Sequence, residues 1–247
     1  MQLTRIISVA AFIGIFLWIL SQNLSNGLGL VEREPVTPNW TAIASWPSVQ
    51  VDDLEAQPDP NRRVTMIVLD DSGSMGNGLT DAKAAVVSAL KAMDADDRVA
   101  VLALNAGTVL PFTTVSHAQS DLFERLRPLR SEGSTPLSRS IGQAQAMLAQ
   151  EAARARGFGT FRLIVTTDGE ADDSNALDAM IEMLASSTPI QLTTIGIGIS
   201  GGHVLRRQDL GSFVDVANVG ALAEALQAAV AENTDFTAIT DFSETEG

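Results

Sequence analysis

Two aspartates stand where buried apolar runs end. Asp70 closes VTMIVLD and Asp168 closes FRLIVTTD. The first continues as Asp70-Asp71-Ser72-Gly73-Ser74-Met75, placing hydroxyls two and four residues after the carboxylate. Between the two, Glu132-Gly133-Ser134-Thr135-Pro136 offers a third hydroxyl on a loop. Asp70, Ser72, Ser74, Thr135 and Asp168 together supply only hard oxygen, a donor set suited to Mg²⁺ or Mn²⁺. Ser72 and Ser74 can face one point if Gly73 lets the chain turn tightly. Two carboxylates at neighbouring strand ends repel unless a cation neutralises them.

Other chemistries are poorly served. The chain has no cysteine, which excludes disulfides, zinc–thiolate sites and a cysteine nucleophile. Its two histidines, His117 and His203, fall in expected loops and read as surface residues. There is no G-x-x-x-x-G-K-[ST], no G-x-G-x-x-G after the first strand and no G-x-S-x-G. A formal charge of −14 opposes nucleic-acid binding, which needs clustered Lys and Arg. Met66, Met75, Met93 and Met147 read as core filler. Of the nearby acids, Asp71 reads as a solvated loop charge turned away from the site. Glu170 reads as a loop acid that tunes the local potential, and Asp173 as a helix N-cap.

The elements that must position these groups alternate in type. Apolar, β-branched runs over VTMIVLD, RVAVLALN, FRLIVTTD and IQLTTIGIGI predict strands buried on both faces. TVLPFT adds a short strand, and Pro111 predicts that it lies at an edge. SFVDV is a short last strand. Helical spacing marks 79–93, 120–129, 136–155, 175–185 and 220–231. The fold class is therefore α/β: a doubly wound, Rossmann-like, mostly parallel sheet with helices on both faces. In such sheets, ligands bind beyond the carboxyl ends of the strands, where strand order reverses. Asp70 and Asp168 are expected there.

The constellation resembles the metal-ion-dependent adhesion site of von Willebrand factor type A domains, the class that includes the integrin inserted domains. D-x-S-x-S is present as Asp70, Ser72 and Ser74 within IVLDDSGSM. The loop threonine is Thr135 in GSTPL, and the second aspartate is Asp168 in T-D-G-E. The resemblance spans residues 62–233. It implies that Asp70, Ser72, Ser74 and Thr135 surround Mg²⁺ or Mn²⁺, with Asp168 near it directly or through water. It also implies that a protein partner supplies an acidic side chain to an open position on the metal. The expected activity is binding and not catalysis. A phosphatase of the haloacid dehalogenase type also places an aspartate at this strand end, but Ser72 stands where its second aspartate would act as acid and base. A subunit of an ATPase- or chelatase-type assembly is a further alternative.

The ends of the chain differ in character. Ile6–Leu20 reads IISVAAFIGIFLWIL, fifteen residues without a charge, after Arg5. We read residues 1–26 as a signal anchor or transmembrane helix preceding the domain. Arg5 predicts a cytoplasmic N-terminus, a single-pass membrane protein and a domain outside the cytoplasm, or a secreted or periplasmic one if the leader is cleaved. Residues 27–61 carry several prolines and read as a linker. Trp40 and Trp46 within it are expected at a membrane interface or against the domain. Residues 234–247 form an acidic tail.

Overall fold

The computed structural model describes residues 35–49, 61–199 and 201–231. A short helix, α1 (Trp40–Ala44), precedes the domain. The domain then runs β1 (Arg63–Leu69), α2 (Gly78–Ala89), β2 (Arg98–Ala103), β3 (Gly107–Thr114) and α3 (Val115–Leu126). It continues with α4 (Leu137–Arg154), β4 (Thr160–Thr167), α5 (Ser174–Ser187), β5 (Gln191–Ile197), β6 (Ser212–Val216) and α6 (Leu222–Ala231).

The six strands form one sheet in the order β3-β2-β1-β4-β5-β6. All neighbours are parallel except β2 and β3. Pro111 lies in β3 at the sheet edge, as its missing N–H requires. The chain builds outward from β1 to β3, then returns to place β4 on the other side of β1. The reversal of strand order therefore falls between β1 and β4, the two strands that end at Asp70 and Asp168.

Alternation along the strands divides the core in two. Ile67 and Leu69 of β1 join Val99, Val101 and Ile164 beneath α2, α3 and α6. Val64, Met66 and Val68 face the opposite way, with Leu163, Val165 and Leu192 beneath α4 and α5. A strand buried on both faces is nearly continuous in apolar residues, as in VTMIVL, where the small, β-branched Thr65 is the one polar side chain. Met66 and Val68 are fully buried, and shielding each such side chain contributes about 1.5–3 kcal/mol.

The helix expected over 120–129 lies earlier, over Val115–Leu126. Buried Val115 and Ala118 extend the stripe formed by Leu122 and Leu126, and Pro128 follows its end. Among the described residues no helix is long and apolar enough to cross a membrane. The expected anchor at 1–26 and the acidic tail at 234–247 lie outside the described residues.

Part of the stretch read as linker is docked. Val36 N–H donates to Asp209 at 3.2 Å, and Asn39 N–H to the Ser186 carbonyl at 2.7 Å. The Trp46 ring meets Phe161 edge-on at 4.9 Å. Trp40 remains exposed.

Candidate metal centre

Asp70 follows β1 directly and is fully buried. Its Oδ1 accepts the Ser72 N–H at 2.9 Å, and its Oδ2 accepts the Asp168 N–H at 3.3 Å. One carboxylate thus ties together both strand-end turns. Its own N–H donates to Thr166 Oγ1 at 3.2 Å. Burial pushes the Asp70 carboxyl above the ordinary aspartate value of 3.8. The Ser72 hydrogen bonds oppose that rise, and the Asp168 charge adds to it.

The serines continue the chain of oxygens. Ser72 Oγ lies 2.9 Å from Ser74 Oγ, and Ser74 donates to Asp168 Oδ1 at 2.7 Å. Asp70, Ser72, Ser74 and Asp168 therefore form one connected cluster across the β1–β4 switch point. The Gly73 N–H ties this turn to the Gly133 carbonyl at 3.2 Å.

Thr135 is brought alongside by its loop and is nearly buried. Ser131 Oγ donates to the Ser72 carbonyl at 2.7 Å, and Glu132 N–H to the Asp71 carbonyl at 2.9 Å. Gly133 has φ +82°, and a Cβ there would stand 2.5 Å from Asn105 Oδ1. On the other flank, Asp172 Oδ2 accepts the Thr135 N–H at 2.6 Å, and Asp172 N–H donates to the Thr135 carbonyl at 3.2 Å. The five expected residues thus lie on three loops that hydrogen-bond to one another. Four of them touch side chain to side chain or through one backbone N–H.

Three neighbouring residues differ from their sequence reading. Asp71 is turned from the cluster but is buried, not solvated. It accepts Asn105 N–H at 2.8 Å, Asn105 Nδ2 at 3.2 Å and Ala106 N–H at 3.1 Å. The turn between β2 and β3 offers otherwise unpaired donors, and a carboxylate is their strongest acceptor. Asp173 occupies the N-cap position of α5 without capping it. Its Oδ1 accepts Ser138 N–H at 3.2 Å, in the first turn of α4, where orphan donors face the loop. His203 is buried, not on the surface. Its Nδ1 accepts Leu205 N–H at 3.1 Å, and its ring lies 6.2 Å from that of Phe213. Burial holds its imidazolium below the ordinary histidine value of 6.5, while Glu170 and the Gly169 backbone act in the opposite direction.

Sequence reasoning missed Asn105 and Asp172 as positioning residues. Asn105 Nδ2 also donates to the Ser134 carbonyl at 2.9 Å, so it links Asp71 to the threonine loop. A signal existed in Asn105, a polar residue two positions beyond the buried strand β2.

Residues 65–170 match the family model of the von Willebrand factor type A domain. Over this stretch, from β1 through the Asp168 turn, the chain is similar to von Willebrand factor type A domains. Solved structures agree on the fold. A von Willebrand factor type A protein from Catenulispora acidiphila superposes with a TM-score of 0.59 at 20% identity, over 69% of this chain and 42% of its own. Proximal thread matrix protein 1 from the mussel byssus gives 0.57 at 14% identity, over 72% and 48%. Manganese-loaded TRAP protein of Plasmodium vivax gives 0.51 at 17% identity, over 68% and 74%. The chain spans less than half the length of the first two. No curated protein matches the sequence.

The candidate site passes a chemical test for a hard divalent cation. Its donors are two carboxylates and three hydroxyls, all oxygen. Asp70 is a buried acid whose ionised form is disfavoured by burial and by Asp168, the setting that a cation relieves. Among the described residues no three His, Cys, Asp or Glu side chains converge as a ligand group. The centre therefore depends on its hydroxyls.

Proposed function

We propose that this von Willebrand A domain is a binding module that captures a protein partner through a divalent cation. The observation that carries this reading is the connected Asp70–Ser72–Ser74–Asp168 cluster at the strand-order reversal. Asp70, Ser72, Ser74, Thr135 and Asp168 would hold Mg²⁺ or Mn²⁺, and manganese loading of the TRAP protein supports the choice of cation. When bound, the cation supplies a Lewis-acidic position for an acidic side chain of the partner.

The chain's own residues orient that position. Ser72 N–H and Asp168 N–H fix both oxygens of Asp70. Ser74 fixes Asp168. Asp172 holds the backbone of Thr135. Three of the five donors are neutral hydroxyls, and few direct carboxylate bonds would leave the cation electrophilic enough to accept a further anion. The surrounding excess of acid, −14 over the chain, selects against anions without a close fit. We read the site as non-catalytic, because Ser72 replaces the acid that a phosphatase of this geometry needs. The apolar run Ile6–Leu20 supports tethering to a membrane with the domain outside the cytoplasm.

The test uses an immobilised chain and peptides carrying a single Asp or Glu in an uncharged sequence. Retention with Mn²⁺ that is lost with EDTA, and lost in Asp70→Ala, is expected. Retention indifferent to EDTA or to Asp70→Ala refutes metal bridging.

A further inference from the structure

A second surface lies on the domain away from the metal centre. A groove of about 550 Å³ runs between α2 and α3. Its α2 wall includes Ala84 and Val87, and Phe123 of α3 stands over it with 64% of its surface exposed. Lys83, Lys91 and Arg127 line its rim. Lys83 and Lys91 are the only lysines of a chain whose net charge is −14. An apolar floor with a cationic rim fits an acidic segment that carries large apolar side chains.

We propose that residues 232–247 of the same chain dock in this groove. The segment has no Lys or Arg and five acids: Glu232, Asp235, Asp241, Glu244 and Glu246. Interleaved with them are Phe236, Ile239 and Phe242, a regular three-residue spacing of apolar groups. A purely solvating tail would not need them. Its starting point is also close. The preceding helix, α6, packs against α2 and against Leu90–Ala92, which includes Lys91. Gln227 Nε2 donates to Ser88 Oγ at 2.8 Å, and Ser88 itself lines the groove. Phe236 lies five residues beyond Ala231, a reach of roughly 17 Å at about 3.3 Å per residue. The helix to be crossed is about 10–12 Å wide.

Arg127 pairs with Glu124 at 3.1 Å, an exposed contact that a second acid can share. The Lys83 ammonium donates to the Leu129 carbonyl at 2.7 Å and keeps two further protons for an acid. Attachment to the same chain gives the segment a millimolar effective concentration, so modest contacts suffice.

The full chain lacks cysteine, which makes disulfide trapping clean. Ala84→Cys with Ala238→Cys places one thiol in the groove and one in the segment. Met183→Cys with Ala238→Cys is the control, on α5 across the sheet. Ala84 and Met183 are both exposed, so the fold tolerates the changes. The groove pair is expected to close as an intramolecular disulfide at least about tenfold faster than the control. Adding Lys91→Glu and Arg127→Glu is expected to remove most of that advantage. Equal rates for the two pairs, or disulfide-linked dimers as the main product, would overturn the proposal. A second reading needs no cysteine: deleting 232–247 is expected to speed amine labelling of Lys91 about threefold or more. An unchanged labelling rate contradicts docking.

Discussion

Replacing Asp71 probes the support beneath the metal centre. Its buried carboxylate accepts three N–H groups, from Asn105 N, Asn105 Nδ2 and Ala106 N, at 2.8, 3.2 and 3.1 Å. A hydrogen bond to a charged group contributes about 1.5–3 kcal/mol net. Taking the lower figure for each, and allowing water to replace the acceptor at exposed Ala106, Asp71→Ala costs about 3 kcal/mol. In a domain of this size each kcal/mol moves Tm by about 2–4 °C, so a fall of about 6–12 °C is expected. Asp71→Asn keeps one acceptor oxygen but turns an amide N–H₂ toward a donor, and should cost about half as much. Thermal and urea unfolding followed by circular dichroism, with and without Mg²⁺, measure both variants. Because Asp71 acts on the loop and not on the cluster, the loss should be similar in both conditions. A Tm for Asp71→Ala within about 2 °C of the parent would show that the carboxylate is solvated after all and refute the reasoning.

Three further outcomes are expected. Gly133→Ala forces a side chain into a left-handed backbone at 2.5 Å from Asn105 Oδ1, so it should lower stability by about 1–3 kcal/mol in denaturant titrations and weaken cation binding. Asp172→Ala removes the acceptor of Thr135 N–H and should reduce cation affinity about tenfold by calorimetry with little change in secondary structure. Burial lowers the His203 pKa in the folded chain, whereas the unfolded chain takes up a proton near 6.5, so stability should fall as pH drops below about 6.5. His203→Phe should flatten that part of the stability–pH profile, and an unchanged slope would assign it to other groups.

The sheet and the convergence of Asp70, Ser72, Ser74 and Asp168 were legible because their signals are local. Val64–Leu69 is apolar at every position but Thr65, and Asp70, Ser72 and Ser74 sit two residues apart on one turn. Thr135 and Asp168 required only that their strands and loops meet at the switch point. Asp71 was not legible, because its partner Asn105 is 34 residues distant and an Asp–Asp pair before a Ser-Gly turn has no periodicity to betray burial. Asp173 sits where a helix cap belongs, yet the unpaired N–H of Ser138 on another helix captures it. His203 follows two glycines, a loop signal, but Phe213 and the turn at Gly169 enclose it. Trp46 sits among prolines, which left a membrane interface and the domain face both open, and the contact with the Phe161 ring places it against the domain. In each case the missing information is a long-range contact.

The central claim is that Asp70 and its hydroxyl neighbours hold a divalent cation. Calorimetric titration of Mg²⁺ and Mn²⁺ into the chain, with Asp70→Ala alongside, tests it most directly. The account predicts one saturable site in the parent, with a dissociation constant up to about 1 mM in the absence of a partner's carboxylate, and its loss in the variant. Isotherms that are flat in both folded proteins, or equal in the two, would contradict it.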